Sequence, residues 1–389
     1  MKIMRLDCET TGATNDTKGS AFCLDNRLCL FGYKFLGMHG HTEDIEYSQE
    51  PYGHILDSLQ HDIDFADLLV GFNIKFDLHW MRRYGLKFDH KKIWDCQAFE
   101  YIHGRMKEPY PSLDKTCERY SIPGKLDTVK TEYWDNGLDT DQVPIITLHE
   151  YLMQDLIATE TLYELQQKQL EYHNDTFVKL IEQENEDILT LEEMEWNGIK
   201  YDYTANEELT KRVLLELDGI DRYLNDIFGH DFINWNSPYH ISACLYGGDI
   251  KESKREPYIF TYKDGRTKEK ERSVVYTHKL PALIKPLKGS GLAMEGFYRT
   301  DESTLRSLKA RGIAKKVIDK LLYRAKQEKL LGSYLIKLPL LAKEKGWTDG
   351  FLHGQFTNCV TATGRLASNG PNLQNFPEVI RDFIISRYK

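Results

Sequence analysis

The sequence predicts an α/β region followed by a mainly helical one. Two short apolar runs, Lys2–Leu6 and Leu68–Phe72, each stop abruptly at polar residues, as buried strands do. A long amphipathic run from about Ile145 to Gln169 reads as a helix. Beyond it the pattern is helical over residues 176–195, 205–228 and 303–342.

The first strand ends at the polar stretch Asp7 to Gly12, so Asp7 and Glu9, two apart, project from one face at its end. The second breaks at Asn73. A helix from about Phe76 to Tyr84 follows it, with Gly85 as its C-terminal stop. The third element carries a stripe of Leu148, Leu152, Asp155, Thr159 and Leu162, in which an acid stands where a core residue belongs. Tyr151 lies four residues before Asp155 and shares its face.

Each of these residues alone has an ordinary reading: loop acids at 7 and 9, a helix-dipole acid at 77, a packing ring at 151. Together they are four carboxylates and a phenol, able to hold two divalent metals and aim a water. Carboxylates gathered in apolar surroundings repel one another and lose hydration, and hard cations offset both costs. The expected activity is metal-dependent phosphodiester hydrolysis.

Asp7-Cys8-Glu9-Thr10-Thr11-Gly12, Asn73-Ile74-Lys75-Phe76-Asp77 and Tyr151-Leu152-Met153-Gln154-Asp155 resemble the three motifs of proofreading 3′–5′ exonucleases. The sister subclass has a histidine five residues before the last aspartate; position 150 is Glu and His149 is one residue too early, so the tyrosine subclass fits. The resemblance implies a ribonuclease-H-like α/β domain with a mixed sheet flanked by helices. It implies that Asp7, Glu9 and Asp155 ligate one metal and that Asp7 with Asp77 holds a second. Tyr151 would orient the attacking water, and Thr10 and Asn73 would touch the 3′-terminal nucleotide. Two Mg²⁺ or Mn²⁺ ions suit the all-oxygen ligand set.

The overall charge of −9 looks wrong for a DNA enzyme, but it is unevenly spread. Residues 249–330 hold 21 Lys and Arg against 11 Asp and Glu, a local balance of +10 that leaves −19 elsewhere. A phosphate-backbone surface confined to one region is the implication. Within it, Lys251 to Arg272 alternates Tyr258, Phe260 and Tyr262 with charges, reading as a β-hairpin that turns at Asp264-Gly265. A merely solvated basic face is the competing reading for that stretch. Seven scattered cysteines without a Cys-x-x-Cys pair point to free thiols in a reducing compartment. Neither a signal peptide nor an apolar run of about 20 residues is seen, so a cytoplasmic protein is expected (host cytoplasm if phage-encoded).

Asn234-Trp235-Asn236-Ser237-Pro238 and Lys329-Leu330-Leu331-Gly332-Ser333-Tyr334 resemble thumb segments of family A DNA polymerases, the bacterial polymerase-I type. Thr361-Ala362-Thr363-Gly364-Arg365-Leu366-Ala367-Ser368 and Pro371-Asn372-Leu373-Gln374-Asn375-Phe376-Pro377 resemble the signature at the entrance to the palm. The resemblance implies an exonuclease domain over 1–172, a helical thumb over 173–350 with a basic hairpin insertion near 249–300, and the first strands of a palm over 351–389. It also implies that Arg365 enters the minor groove, where base-pair acceptors are nearly uniform. Lys329, Asn372, Gln374 and Asn375 would touch backbone or base edges of a primer–template duplex.

The motifs of the polymerase fingers and palm acids do not occur in the sequence. The expectation is therefore the exonuclease and DNA-binding portion of a split or truncated family A polymerase, phage-type, acting in DNA replication. A second polypeptide would carry palm and fingers, and an apolar edge near Phe376 to Ile385 would want that partner. The alternatives are a free-standing 3′–5′ DNA exonuclease and a non-catalytic DNA-binding processivity subunit.

Overall fold

A computed structural model describes residues 1–12, 18–35, 54–124, 127–347 and 350–388, which form two compact units: residues 1–203 with 338–389, and residues 204–337. The first unit is built on strands β1 (Ile3–Thr10), β2 (Leu28–Phe35), β3 (Leu68–Gly71) and β4 (Lys92–Asp95), interleaved with helices α1 (His54–Phe65), α2 (Lys75–Arg83) and α3 (Cys96–His103). Helices α4 (Leu113–Tyr120), α5 (Thr128–Glu132), α6 (Ile145–Leu170) and α7 (Asp175–Asn197) follow, then strand β5 (Ile199–Lys200).

The sheet order is β2-β1-β3-β4; β1 pairs antiparallel with β2 and parallel with β3, and β3 pairs parallel with β4. A mixed sheet flanked by helices thus forms, as expected. Parallel strands buried on both faces read as apolar runs, and Leu68, Leu69 and Val70 are all buried in the core. β1 differs from its sequence reading: it continues through Asp7 and Glu9 to Thr10 because β2 supplies pairing partners that far, with a bulge between Glu9 and Thr10. Gly85 follows α2 at φ +80°, a left-handed position that favours glycine.

The second unit holds helices α8 (Tyr203–Phe228) and α9 (Pro238–Tyr246), strands β6 (Gly248–Thr261) and β7 (Thr267–Leu280), then α10 (Glu302–Ser307) and α11 (Gly312–Leu330). α12 (Lys337–Glu344) leads back to the first unit. The continuous helix expected over 303–342 is in fact broken twice. Arg311 is extended ahead of α11, and a π-helical turn over Leu331–Leu335 separates α11 from α12. That restart places Pro339 in the first turn of α12, where its missing N–H costs no hydrogen bond. The hairpin turns at Asp264-Gly265 as read, but its strands reach well beyond 251–272.

The first unit is completed by β8 (Phe351–Leu352), which pairs with β5, by β9 (Gln355–Thr357) with β10 (Ala367–Asn369), and by α13 (Glu378–Arg381). The expected apolar edge near 376–385 is largely covered. Phe376, Ile380 and Phe383 are buried, while Ile384 and Ile385 stay exposed. Backbone bonds from Asp202 to Phe383 and from Ile385 to Lys200 fasten this segment to its own unit. All seven cysteines are buried free thiols. Among the described residues no helix is long and apolar enough to cross a membrane.

Candidate active site

Asp7, Glu9 and Asp155 each bring a carboxylate oxygen within 4.8 Å of the others. The arrangement follows from how β1 meets α6. Alternation along the strand puts Arg5, Asp7 and Glu9 on one face. Arg5, fully buried, pairs with Glu160 of α6, which fixes how far α6 slides along the strand. Opposite Asp7 in the β1–β2 register stands Gly32. A Cβ there would lie 2.7 Å from Leu152 Cδ2 and 2.9 Å from Leu156 Cδ1, so α6 seats this close only over a glycine. Asp155, between those leucines in sequence, is thereby carried to the strand acids. Its stripe neighbours Leu148, Leu152, Thr159 and Leu162 are all buried, as the spacing predicts.

Asp77 stands outside that three-acid cluster but close enough to feel it. Burial, and next the charge of Asp7, hold its carboxyl well above the usual range, while the Cys8 thiol bonded to it pulls the other way. Its Oδ1 is buried with no hydrogen-bond partner among the described residues. At an effective dielectric near 20, two ionised carboxylates about 5 Å apart repel by roughly 3 kcal/mol. A divalent cation relieves that repulsion, and an all-oxygen donor set with one buried oxygen unclaimed suits Mg²⁺ or Mn²⁺.

Two organising residues escaped the sequence reading. Asp95, buried at the end of β4, caps α3 through Gln97 N and Ala98 N. Its carboxylate also accepts the backbone N–H groups of Asn73 and Ile74, both at 3.1 Å. Those bonds hold Asn73 in the left-handed region (φ 60°) and launch α2, which carries Asp77. Burial pushes the Asp95 carboxyl up, against the pull of these four amides. Asp139 Oδ2 accepts the Gly12 N–H at 2.7 Å, tying the loop after Thr10 and Thr11 to a capping box with Gln142. Their helix-capping bonds are local and leave a trace in sequence, but the bonds to Asn73, Ile74 and Gly12 join groups more than twenty residues apart and leave none.

Of the remaining candidates, Thr10 is buried just past the bulge and Asn73 is exposed at its turn. The Tyr151 ring is buried, edge-on to Trp134 at 5.9 Å between centroids. Trp134 in turn donates to Thr140 Oγ1 at 3.1 Å, which holds the indole against the tyrosine ring.

The candidates for duplex contact are divided between the units. Lys329 is exposed near the end of α11 in the second unit. Arg365, Asn372, Gln374 and Asn375 are exposed in the first. The turn before Arg365 closes through Gly364 N to Thr361 O at 3.0 Å, and Thr361 Oγ1 donates to Arg365 O at 2.8 Å. It rests on α3: Tyr101 Oη donates to Thr361 O, and Met106 lies against Gly364. Gln374 Nε2 donates to Leu366 O at 3.2 Å, linking both halves of the signature.

A sequence model of DNA polymerase family A matches residues 269–388. The chain is 29% identical over 314 residues to DNA polymerase I of Synechocystis, covering 78% of this chain and 26% of that protein. It is 27% identical over 187 residues to the thermostable DNA polymerase I of Thermus thermophilus, covering 48% and 17%. It spans about a quarter or less of the length of these relatives. Its fold resembles the polymerase domain of Pol1 from M. smegmatis, solved with DNA primer-template and dNTP. The TM-score is 0.60 at 17% identity, over 99% of this chain and 55% of that one. The chain is thus similar to the family A DNA polymerases, with the family model matching residues 269–388.

Proposed function

We propose that this chain is a metal-dependent 3′–5′ proofreading exonuclease joined to a primer–template-binding portion of a family A polymerase, acting in DNA replication. The observation that carries the exonuclease reading is the convergence of Asp7, Glu9 and Asp155 from two elements onto one point. These three acids would hold one divalent cation, and Asp7 with Asp77 a second. When bound, such a pair lowers the pKa of a coordinated water and stabilises the leaving 3′ oxygen.

The chain's own residues do the rest. Tyr151, braced by Trp134, orients the attacking water through its phenol. Asn73, fixed by Asp95, and Thr10 receive the terminal nucleotide. Arg365, on its anchored turn, enters the minor groove of the duplex, and Asn372, Gln374 and Asn375 touch its backbone or base edges; Lys329, in the second unit, is assigned the same kind of contact. The split-polymerase reading, with palm acids and fingers on a second polypeptide, belongs to the same proposal.

The test is digestion of a 5′-labelled single strand in Mg²⁺. The wild-type chain shortens it from the 3′ end, and Asp7→Ala or Asp155→Asn each lowers the rate by about 10³-fold, equivalent to roughly 4 kcal/mol of transition-state stabilisation. Undiminished digestion in both variants sinks the reading, as does an inert wild-type chain.

A further inference from the structure

The β6–β7 ribbon is anchored at its base, where Ile250 and Leu280 join the second unit's core. Beyond Ile250 each strand runs on for about ten residues, some 35 Å at the rise of a β-strand. From Lys251 to Lys279 no residue of the ribbon is buried. Cross-strand partners share a face, and the register pairs Tyr258 with Lys270 and Phe260 with Lys268, even numbers with even. Within the paired strands one face therefore carries Lys254, Lys268, Lys270 and Arg272 against Glu252 and Glu256, a balance of +2. The other carries Lys251, Arg255 and Lys279 against Asp249, Glu269 and Glu271, a balance of zero.

The rings are sorted in the same way. Tyr258, Phe260, Tyr262 and Tyr276 all lie on the even face; the odd face has Pro257, Ile259 and Val275. The ribbon's ion pairs join Lys254 and His278 to Glu252, Arg255 to Glu271 and Arg266 to Asp264. Lys268, Lys270 and Arg272 take no acid partner among the described residues, and Lys270 and Arg272 lie over rings instead. Lys270 Nζ is 3.6 Å from the Phe260 centroid, and the Arg272 guanidinium is 5.9 Å from that of Tyr258. Phe260 and Tyr262 meet edge to face at 90°, so the rings are not stacked on each other.

We propose that the even face of this ribbon is a stacking platform for single-stranded DNA. Cations without acid partners beside half-exposed rings are what a flexible polyanion with planar bases needs: phosphates take the cations and bases stack on the rings. Paired bases in a duplex keep their faces to themselves, and an acidic peptide would use the cations and leave the rings idle. The odd face has no rings, and its cations Lys251, Arg255 and Lys279 are balanced by Asp249, Glu269 and Glu271. The inference does not rest on the exonuclease reading, because it concerns binding in the other unit.

The test is fluorescence anisotropy of a labelled thirty-residue oligo(dT) with the full chain in EDTA, where metal-dependent hydrolysis is silent. K268E/K270E/R272E changes the charge as much as K251E/R255E/K279E does, but on the other face. The even-face variant is expected to bind at least tenfold more weakly. Its log K against log salt slope should be shallower by about 2, from 0.7 per phosphate contact. The odd-face variant should bind within threefold of wild type. Y258L/F260L, which keeps every charge, is expected to lose tenfold or more with its salt slope unchanged, and it decides the matter if the triple reversal fails to fold. Equal losses from the two faces overturn the proposal, as does unchanged binding in the ring variant. So does an even-face variant that retains oligo(dT) but loses polyglutamate. An Asp7→Ala chain without digestion but with intact, face-dependent binding would separate this inference from the fate of the exonuclease reading.

Discussion

Replacing Gly32 with alanine adds one methyl group, and the structure says where it goes. The new carbon would lie 2.7 Å from Leu152 Cδ2 and 2.9 Å from Leu156 Cδ1, against a comfortable carbon–carbon separation of about 3.5–4.0 Å. Both leucines are fully buried, so neither has an empty direction to turn into. Overpacking of this kind costs about 1–3 kcal/mol. The readiest relief is for α6 to lift from the sheet by up to about 1 Å, taking Asp155 with it. A misplacement of that size in a reacting constellation costs on the order of 10²-fold. Gly32→Ala should therefore melt only a few degrees lower yet digest a 5′-labelled strand about 100-fold more slowly, with all four acids intact. Leu152→Ala in the same chain removes the nearer of the two clashing side chains and leaves only the contact with Leu156 Cδ1. It should restore activity tenfold or more, while stability falls further because the deletion itself costs about 2–5 kcal/mol. A fully active Gly32→Ala refutes the reasoning. So does a double variant no faster than the single one, since the two sites would then be uncoupled.

Two further outcomes follow from the buried polar groups. Asp95→Ala strips acceptors from Asn73 N and Ile74 N and uncaps α3, which should cost about 3 kcal/mol in urea denaturation, with Asp95→Asn losing about half as much; equal midpoints for all three chains would contradict the role given to Asp95. Burial raises the carboxyls of Glu195, Glu192 and Glu100 above their ordinary values. The folded chain thus binds these protons more tightly than the unfolded one. The stability these groups contribute is fully present below about pH 4.5 and is lost as pH rises through the raised folded values. Glu195 is faced by Lys75, by the Phe356 N–H and by His79, which burial keeps neutral with its pKa lowered to about 3. Lys75→Met removes the only one of these that carries charge, so melting temperature should fall more steeply between pH 5 and 8 than in the wild type; parallel profiles would refute the assignment.

Alternation and periodicity alone determined that strand β1 carries Asp7 and Glu9 on one face, and that α6 buries Asp155 within an apolar stripe. The hairpin turn was equally legible, because Asp-Gly flanked by alternating residues has few other uses. These are local signals, written within ten or twenty residues. What the tertiary structure decided is which acids meet. Three converge through the Gly32 contact and the Arg5–Glu160 pair, and Asp77 stands apart, on a helix set by Asp95. The break at Leu331–Leu335 and the seating of Phe383 were equally hidden, since Leu335 O is bonded by Asn206 and Phe383 meets Tyr201 and Asp202, all more than a hundred positions away. The sorting of rings and cations onto one face of the ribbon sits between these cases. Alternation was visible in each strand, but only the register between β6 and β7 could place the two sets on the same side.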